Sequence, residues 1–143
     1  MTGREIPSVR DVYVGNVMTE GVETIASDRT AADAASRLYE SGIGSLLVDG
    51  EDGRPDGIIT ETDFVELAAV GQDPTTPTVA DCMSSPVLTA STDETLDDVA
   101  ELMADRNVKK VPITETRAGT VVGMVTTTDI AKYLPVREFH PER

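Results

Sequence analysis

The sequence predicts a mixed α/β fold made of two β-α-β-β-α repeats, and three observations carry that prediction. Residues 18–48 recur as residues 83–113 at a constant offset of 65, with Met18/Met83, Val22/Val87, Thr24/Thr89, Asp28/Asp93, Thr30/Thr95, Asp33/Asp98 and Ala35/Ala100 identical. After one inserted residue the register resumes, and Gly57-Ile-Ile-Thr-Glu-Thr-Asp-Phe64 faces Gly123-Met-Val-Thr-Thr-Thr-Asp-Ile130. Within each copy, short apolar runs alternate with stretches of helical period, the pattern of strands and helices sharing one core.

Each element follows in chain order. Val22 to Ile25 reads as a short strand, and Thr30 to Tyr39 as a helix with Ala31, Ala34, Ala35 and Leu38 on one face. Leu46 to Val48 and Gly57 to Ile59 flank Asp49-Gly-Glu-Asp-Gly53 and read as a hairpin with a Gly-rich turn. In the second copy Leu96, Val99, Ala100 and Met103 form the helical face, after Thr95 and Asp98 at capping-box spacing. Val111 to Ile113 and Val121 to Val125 are the matching hairpin strands. Their unbroken apolar runs predict strands covered on both faces. A second helix closes each copy, and Gly71 to Pro77, with two prolines, is the expected linker. A unit of this size buries little surface alone, so the copies are expected to pack about a pseudo-twofold axis.

Composition narrows the function. The 143 residues hold 26 acidic against 12 basic side chains, a net charge of −14, and only 3% aromatics. Such a surface repels nucleic-acid phosphate and anionic lipid, so neither is an expected partner. The carboxylates read as adaptation to a salty cytosol, where high ionic strength screens their repulsion, in preference to an acidic interaction surface. The one cysteine, Cys82, has no partner for a disulfide, and no apolar run reaches the length of a membrane span, so an intracellular, cytoplasmic protein is expected. Cys82 and His140 form neither a metal-ligand cluster nor a catalytic pair. With no poised base or nucleophile, the chain reads as non-enzymatic and as requiring no cofactor.

Two polar elements stand out. Thr60-Glu-Thr-Asp63 and Thr126-Thr-Thr-Asp129 each follow an apolar strand. One reading makes them capping boxes; another puts the carboxylate on the vicinal hydroxyls of a ribose and the helix start beside a phosphate. Lys109-Lys110 precedes the strand at Val111 in a chain with few cations, whereas the first copy has Gly44-Ser45 there. The lysines read either as a solvated strand start or as a phosphate counter-charge.

The repeated pattern M-x-x-x-V-x-T, a helix, h-P-h and G-h-h-T-x-x-D resembles the CBS domain, named for cystathionine β-synthase, and the tandem over about residues 14 to 133 resembles a Bateman module. The resemblance implies repeats at 14–70 and 78–133, a linker at 71–77, and terminal extensions at 1–13 and 134–143. It also implies a stand-alone regulatory module that senses an adenosine-containing ligand, AMP, ADP, ATP or S-adenosylmethionine, with a structural dimerisation module of silent clefts as the alternative. By the same resemblance Asp63 and Asp129 hold ribose, and Thr60 and Thr126 contact ribose or phosphate. Val22 and Glu23 border the base beside the Asp129 motif, Val87 and Leu88 beside the Asp63 motif, and Gly44, Ser45, Lys109 and Lys110 face the phosphates. The first copy departs from the pattern with Leu47 in place of Pro112, no cation at Gly44-Ser45, and Glu61 beside Thr60. The Asp129 side is therefore the favoured site. A homodimer is expected, with Phe64, Leu67, Ala68, Ile130 and Leu134 on its apolar faces; the regulated protein is not identified by sequence.

Overall fold

A computed structural model describes residues 12–133, and these divide into two compact units, Val22–Val87 and a second that joins Leu88–Tyr133 to the segment before Val22. His140 and Leu134 lie outside the described residues.

In the unit Val22–Val87, β1 (Thr24–Ile25), β2 (Ser45–Asp49) and β3 (Pro55–Thr60) form a sheet in that order. β1 runs parallel to β2, and β2 antiparallel to β3 with Ser45 opposite Thr60. Helix α1 (Ala31–Ser41) connects β1 to β2, and α2 (Glu61–Ala69) follows β3 directly. In the other unit β4 (Ala90–Ser91), α4 (Leu96–Arg106), β5 (Lys110–Thr114), β6 (Val121–Thr126) and α5 (Thr127–Lys132) repeat the arrangement, with Lys110 opposite Thr126. The mixed α/β class and the element order match the sequence expectation. β1 is shorter than expected: Val22 and Glu23 precede it, although the Glu23 carbonyl still accepts the Leu47 N–H at 3.1 Å.

Helix starts are set by one device used five times. Thr30/Asp33, Thr60/Asp63, Thr78/Asp81, Thr95/Asp98 and Thr126/Asp129 are all capping boxes, at α1, α2, α3 (Val79–Cys82), α4 and α5. Helix ends are also matched, since Gly42 (φ 66°) and Asn107 (φ 53°) occupy the left-handed position after α1 and α4. Asparagine tolerates that conformation better than other side chains, so the substitution keeps the stop.

Each core is aliphatic. Ile25, Ala34, Leu38, Leu46, Val48, Ile59 and Val79 form one cluster, while Val14, Ala90, Leu96, Val99, Met103, Val111, Ile113 and Val125 form the other. Leu47 and Pro112 are buried as well, so the central strands are covered on both faces as their apolar runs predict. Phe64 and Ile130, expected on exposed faces, instead pack partly against the cores. Ala68, expected there too, is exposed and Leu67 half-buried, and the large apolar residues left in solvent there are Val65 of α2 and Val70 just after it.

The segment expected as a linker is tied to a helix start. Pro74 and Pro77 offer carbonyls to the Ala32 and Ala31 amides at 2.9 Å, satisfying donors that the first turn of α1 cannot pair internally. Ser84 then exchanges two backbone bonds with Ile58 of β3, 3.0 and 2.9 Å long. The equivalent segment in the other unit is the chain before Val22. There Val12 accepts the Leu96 amide at 2.7 Å, Val14–Asn16 forms a 3-10 turn in place of α3, and Thr19 pairs with Met124.

Candidate ligand site at the sheet ends

In each unit the sequence-predicted site residues collect at one sheet end, because parallel and antiparallel pairing bring the starts of two strands beside the end of the third. In the unit Val22–Val87 these are Val22 and Glu23 before β1, Gly44 and Ser45 at the start of β2, and Thr60 with Asp63 at the turn into α2. In the other unit they are Leu88 before β4, Lys109 and Lys110 at the start of β5, and Thr126 with Asp129. Val87 is the last residue of the first unit. Within the units, Val22 and Glu23 share a sheet end with the Asp63 motif, and Leu88 shares one with the Asp129 motif.

The two T-x-x-D motifs are capping boxes in fact. The Thr126 amide donates to Asp129 Oδ2 at 2.9 Å, and the Asp129 amide donates to Thr126 Oγ1 at 3.2 Å. The Thr60 amide donates to Asp63 Oδ2 at 2.7 Å. Capping and ligand binding are compatible, because an ionised carboxylate offers about four lone-pair sites. Among the described residues only Oδ2 of Asp129 is engaged. The start of α5 is pinned to the lysines by the Thr127 amide, which donates to the Lys109 carbonyl at 3.0 Å; Glu61 makes the same bond to Gly44 at 3.3 Å. Lys109 is exposed and Lys110 half-buried.

The electrostatics of the two ends differ. Burial raises the Asp63 carboxyl above its ordinary value, and the nearby Glu66 charge adds to this against the opposing hydrogen bonds from Thr60. A cleft of about 430 Å³ beside α2 is lined by Asp63, Glu66 and Asp81 together with Leu67, Val70 and Cys82. Burial and the charges of Asp81 and Asp63 also push the Cys82 thiol up, away from reactive thiolate. An anion gains nothing there. The other sheet end carries the cations Lys109 and Lys110 instead.

Sequence reasoning missed Arg37. Its guanidinium donates to the Glu23 carboxylate at 2.9 Å and to the Thr24 carbonyl at 3.2 Å. The pairing spans a strand and a helix, so no local motif announces it; the signal was the change from Leu88 and Leu102 in one copy to Glu23 and Arg37 in the other.

Among the described residues no cluster of three or more His, Cys, Asp or Glu is placed to hold a metal ion, and no helix is long and apolar enough to cross a membrane. Fold and sheet ends together define a tandem α/β repeat protein with a polar constellation at each strand-to-helix turn. The CBS domain model matches residues 14–69 and 79–136, and the chain belongs to the CBS domain family.

Its relatives extend the likeness. An uncharacterized protein of Methanopyrus kandleri, MK0525, is 35% identical over 128 residues; the match covers 89% of this chain, which spans only 65% of that protein's length. Hypoxic response protein 1 of Mycobacterium tuberculosis is 30% identical, with 84% of this chain and 83% of that one covered. Among solved structures, the CBS domain pair of protein MJ0100 in complex with 5′-methylthioadenosine and S-adenosyl-L-methionine is 30% identical, covers 85% of this chain and 94% of its own, and superposes with a TM-score of 0.76.

Proposed function

We propose that this chain is a regulatory module that binds an adenosine-containing ligand, AMP, ADP, ATP or S-adenosylmethionine, at the sheet end formed by Lys109, Lys110, Thr126 and Asp129. The observation that carries the reading is the likeness to a CBS pair solved with two adenosyl ligands. In this reading Asp129 keeps Oδ2 on the Thr126 amide and offers Oδ1 to a ribose hydroxyl, while the two ammonium groups neutralise phosphate. Gly44, Ser45 and Glu61 supply no cation at the first-repeat end, so Thr60 and Asp63 form the weaker site or act as a cap alone. Val22, Glu23, Val87 and Leu88 remain base-bordering residues in the proposal. Ligand binding serves regulation of a partner protein rather than catalysis.

The test begins with mass spectrometry of small molecules released from protein purified without added nucleotide, followed by titration calorimetry with the four ligands. At a hundredfold excess over Kd, binding stabilises the fold by about 2.7 kcal/mol, which thermal melts resolve. Asp129→Ala should abolish most of the ligand-induced shift, and Asp63→Ala should change it less. Replacing Lys109 and Lys110 by Gly and Ser, the first-repeat residues, should weaken ATP about tenfold or more through lost charge-assisted hydrogen bonds, and leave the cationic sulfonium ligand unaffected or tighter. No heat with any of the four ligands would leave the structural dimerisation module as the function.

A further inference from the structure

In each unit a methionine is seated over a glycine of the sheet. Met83 lies against Gly57 of β3 and Met18 against Gly123 of β6, each so close that its Sδ and Cγ fill the space a Cβ on the glycine would take. Both methionines are half-buried and pack against the core of their unit, whereas Met103 and Met124 are only 4% and 7% exposed. A carbonyl oxygen shares each seat. That of Ser84 stands 2.9 Å, and that of Thr19 3.0 Å, from the point a glycine Cβ would occupy. The same two residues tie the chain to the sheet, since Ser84 exchanges N–H···O bonds of 3.0 and 2.9 Å with Ile58, and Thr19 exchanges two of 2.9 Å with Met124. These seats suit a thioether, which is apolar and needs no hydrogen-bond partner. A sulfoxide is bulkier by an oxygen and strongly polar. Its oxygen would meet a glycine face and a carbonyl oxygen, another acceptor, with no donor between them. Cys82 does not compete for an oxidant, because burial and the charges of Asp81 and Asp63 push its thiol up and away from thiolate, while a thioether reacts without losing a proton.

We propose that Met18 and Met83 are paired oxidation sites: a peroxide converts either thioether to the sulfoxide, which leaves its glycine seat and releases the Thr19–Met124 or Ser84–Ile58 backbone pair from the sheet. The sulfur gives an electron pair to one peroxide oxygen and forms the S–O bond as the O–O bond breaks; the departing oxygen takes the proton of the attacked one and leaves as water. A thiol-dependent sulfoxide reductase returns the thioether, so the change is reversible. β3 and β6 run directly into Thr60 and Thr126, and release therefore loosens the strands that carry both T-x-x-D starts. The inference does not depend on which ligand, if any, those motifs hold.

The experiment treats the full chain with hydrogen peroxide, following each methionine by peptide mass spectrometry and each backbone pair by hydrogen exchange. Met18 and Met83 should oxidise several-fold faster than Met103 and Met124, because susceptibility follows exposure. The amides of Thr19, Ile58, Ser84 and Met124 should then exchange about five- to a hundredfold faster, the range that overpacking of a seat produces. Treatment with a methionine sulfoxide reductase should restore their protection. Met18→Leu with Met83→Leu conserves side-chain volume, so its amides should not respond to peroxide. Oxidation of Met18 and Met83 no faster than of Met103 and Met124 overturns the proposal. So does unchanged exchange once both sulfoxides have formed, exchange that stays fast after reduction, or an equal peroxide response in the leucine variant. All but the last are read on the unsubstituted chain, so a leucine variant that folds poorly leaves the test standing.

Discussion

Met83 lies across the face of Gly57: a Cβ built on that glycine would stand 2.8 Å from Met83 Cγ and 2.9 Å from the Ser84 carbonyl oxygen. Met18 and Gly123 repeat the relationship in the other unit, at 2.7 Å from Met18 Cγ and 3.0 Å from the Thr19 oxygen. The Met that opens each repeat motif and the Gly that opens each T-x-x-D motif are thus complementary surfaces, brought together by the backbone pairs Ser84–Ile58 and Thr19–Met124. Gly57→Ala or Gly123→Ala should cost about 1–3 kcal/mol by overpacking, measured by urea denaturation. Adding Met83→Ala to Gly57→Ala should recover only part of the loss, because the Ser84 oxygen still crowds the new methyl; full additivity of the two changes would refute the contact.

Two carboxylates should give opposite pH dependences of stability. Asp63 has its folded value raised, chiefly by burial, so the folded state holds its proton more tightly and stability falls as pH rises from the ordinary carboxylate range through that folded value. Asp33 is lowered, first by the Arg29 hydrogen bond and then by Thr30, so its contribution is present above the ordinary range and is lost as pH falls through the folded value. Asp63→Asn should therefore remove a downward slope from the stability curve, and Asp33→Asn an upward one. Equal slopes for wild type and both variants between pH 3 and 6, roughly the carboxylate range, would contradict this.

With a net charge of −14, salt is expected to stabilise the fold. Raising KCl screens carboxylate repulsion in the compact state, so the thermal midpoint should climb across a series from low to molar salt. A flat or falling midpoint would show that the acidic surface serves another purpose.

Val65 in α2 is 66% exposed and Val70, the residue after that helix ends, 76%, with Tyr133 exposed just past α5. Apolar residues left in solvent around the closing helices fit an interface with a second copy, and we expect a homodimer. Sedimentation equilibrium in molar KCl should find twice the chain mass, and Val65→Glu with Val70→Glu should return it to one. A monomer throughout would remove the idea.

The sequence by itself determined the elements that recur. Two copies at constant offset exposed the strands, the α1 and α4 apolar faces, and the T-x-x-D starts, because helical and strand periods and capping chemistry are written in neighbouring residues. It also exposed the inequality of Lys109-Lys110 and Gly44-Ser45. Only the tertiary structure decided which segments complete each unit: residues 74–84 serve α1 and β3, and residues 12–19 serve α4 and β6. Likewise it alone joined Arg37 to Glu23 and gave the Leu47 amide its bond to the Glu23 carbonyl. Those are pairings between residues distant in the chain, fixed by where the strands lie rather than by any local preference, and no periodicity encodes them.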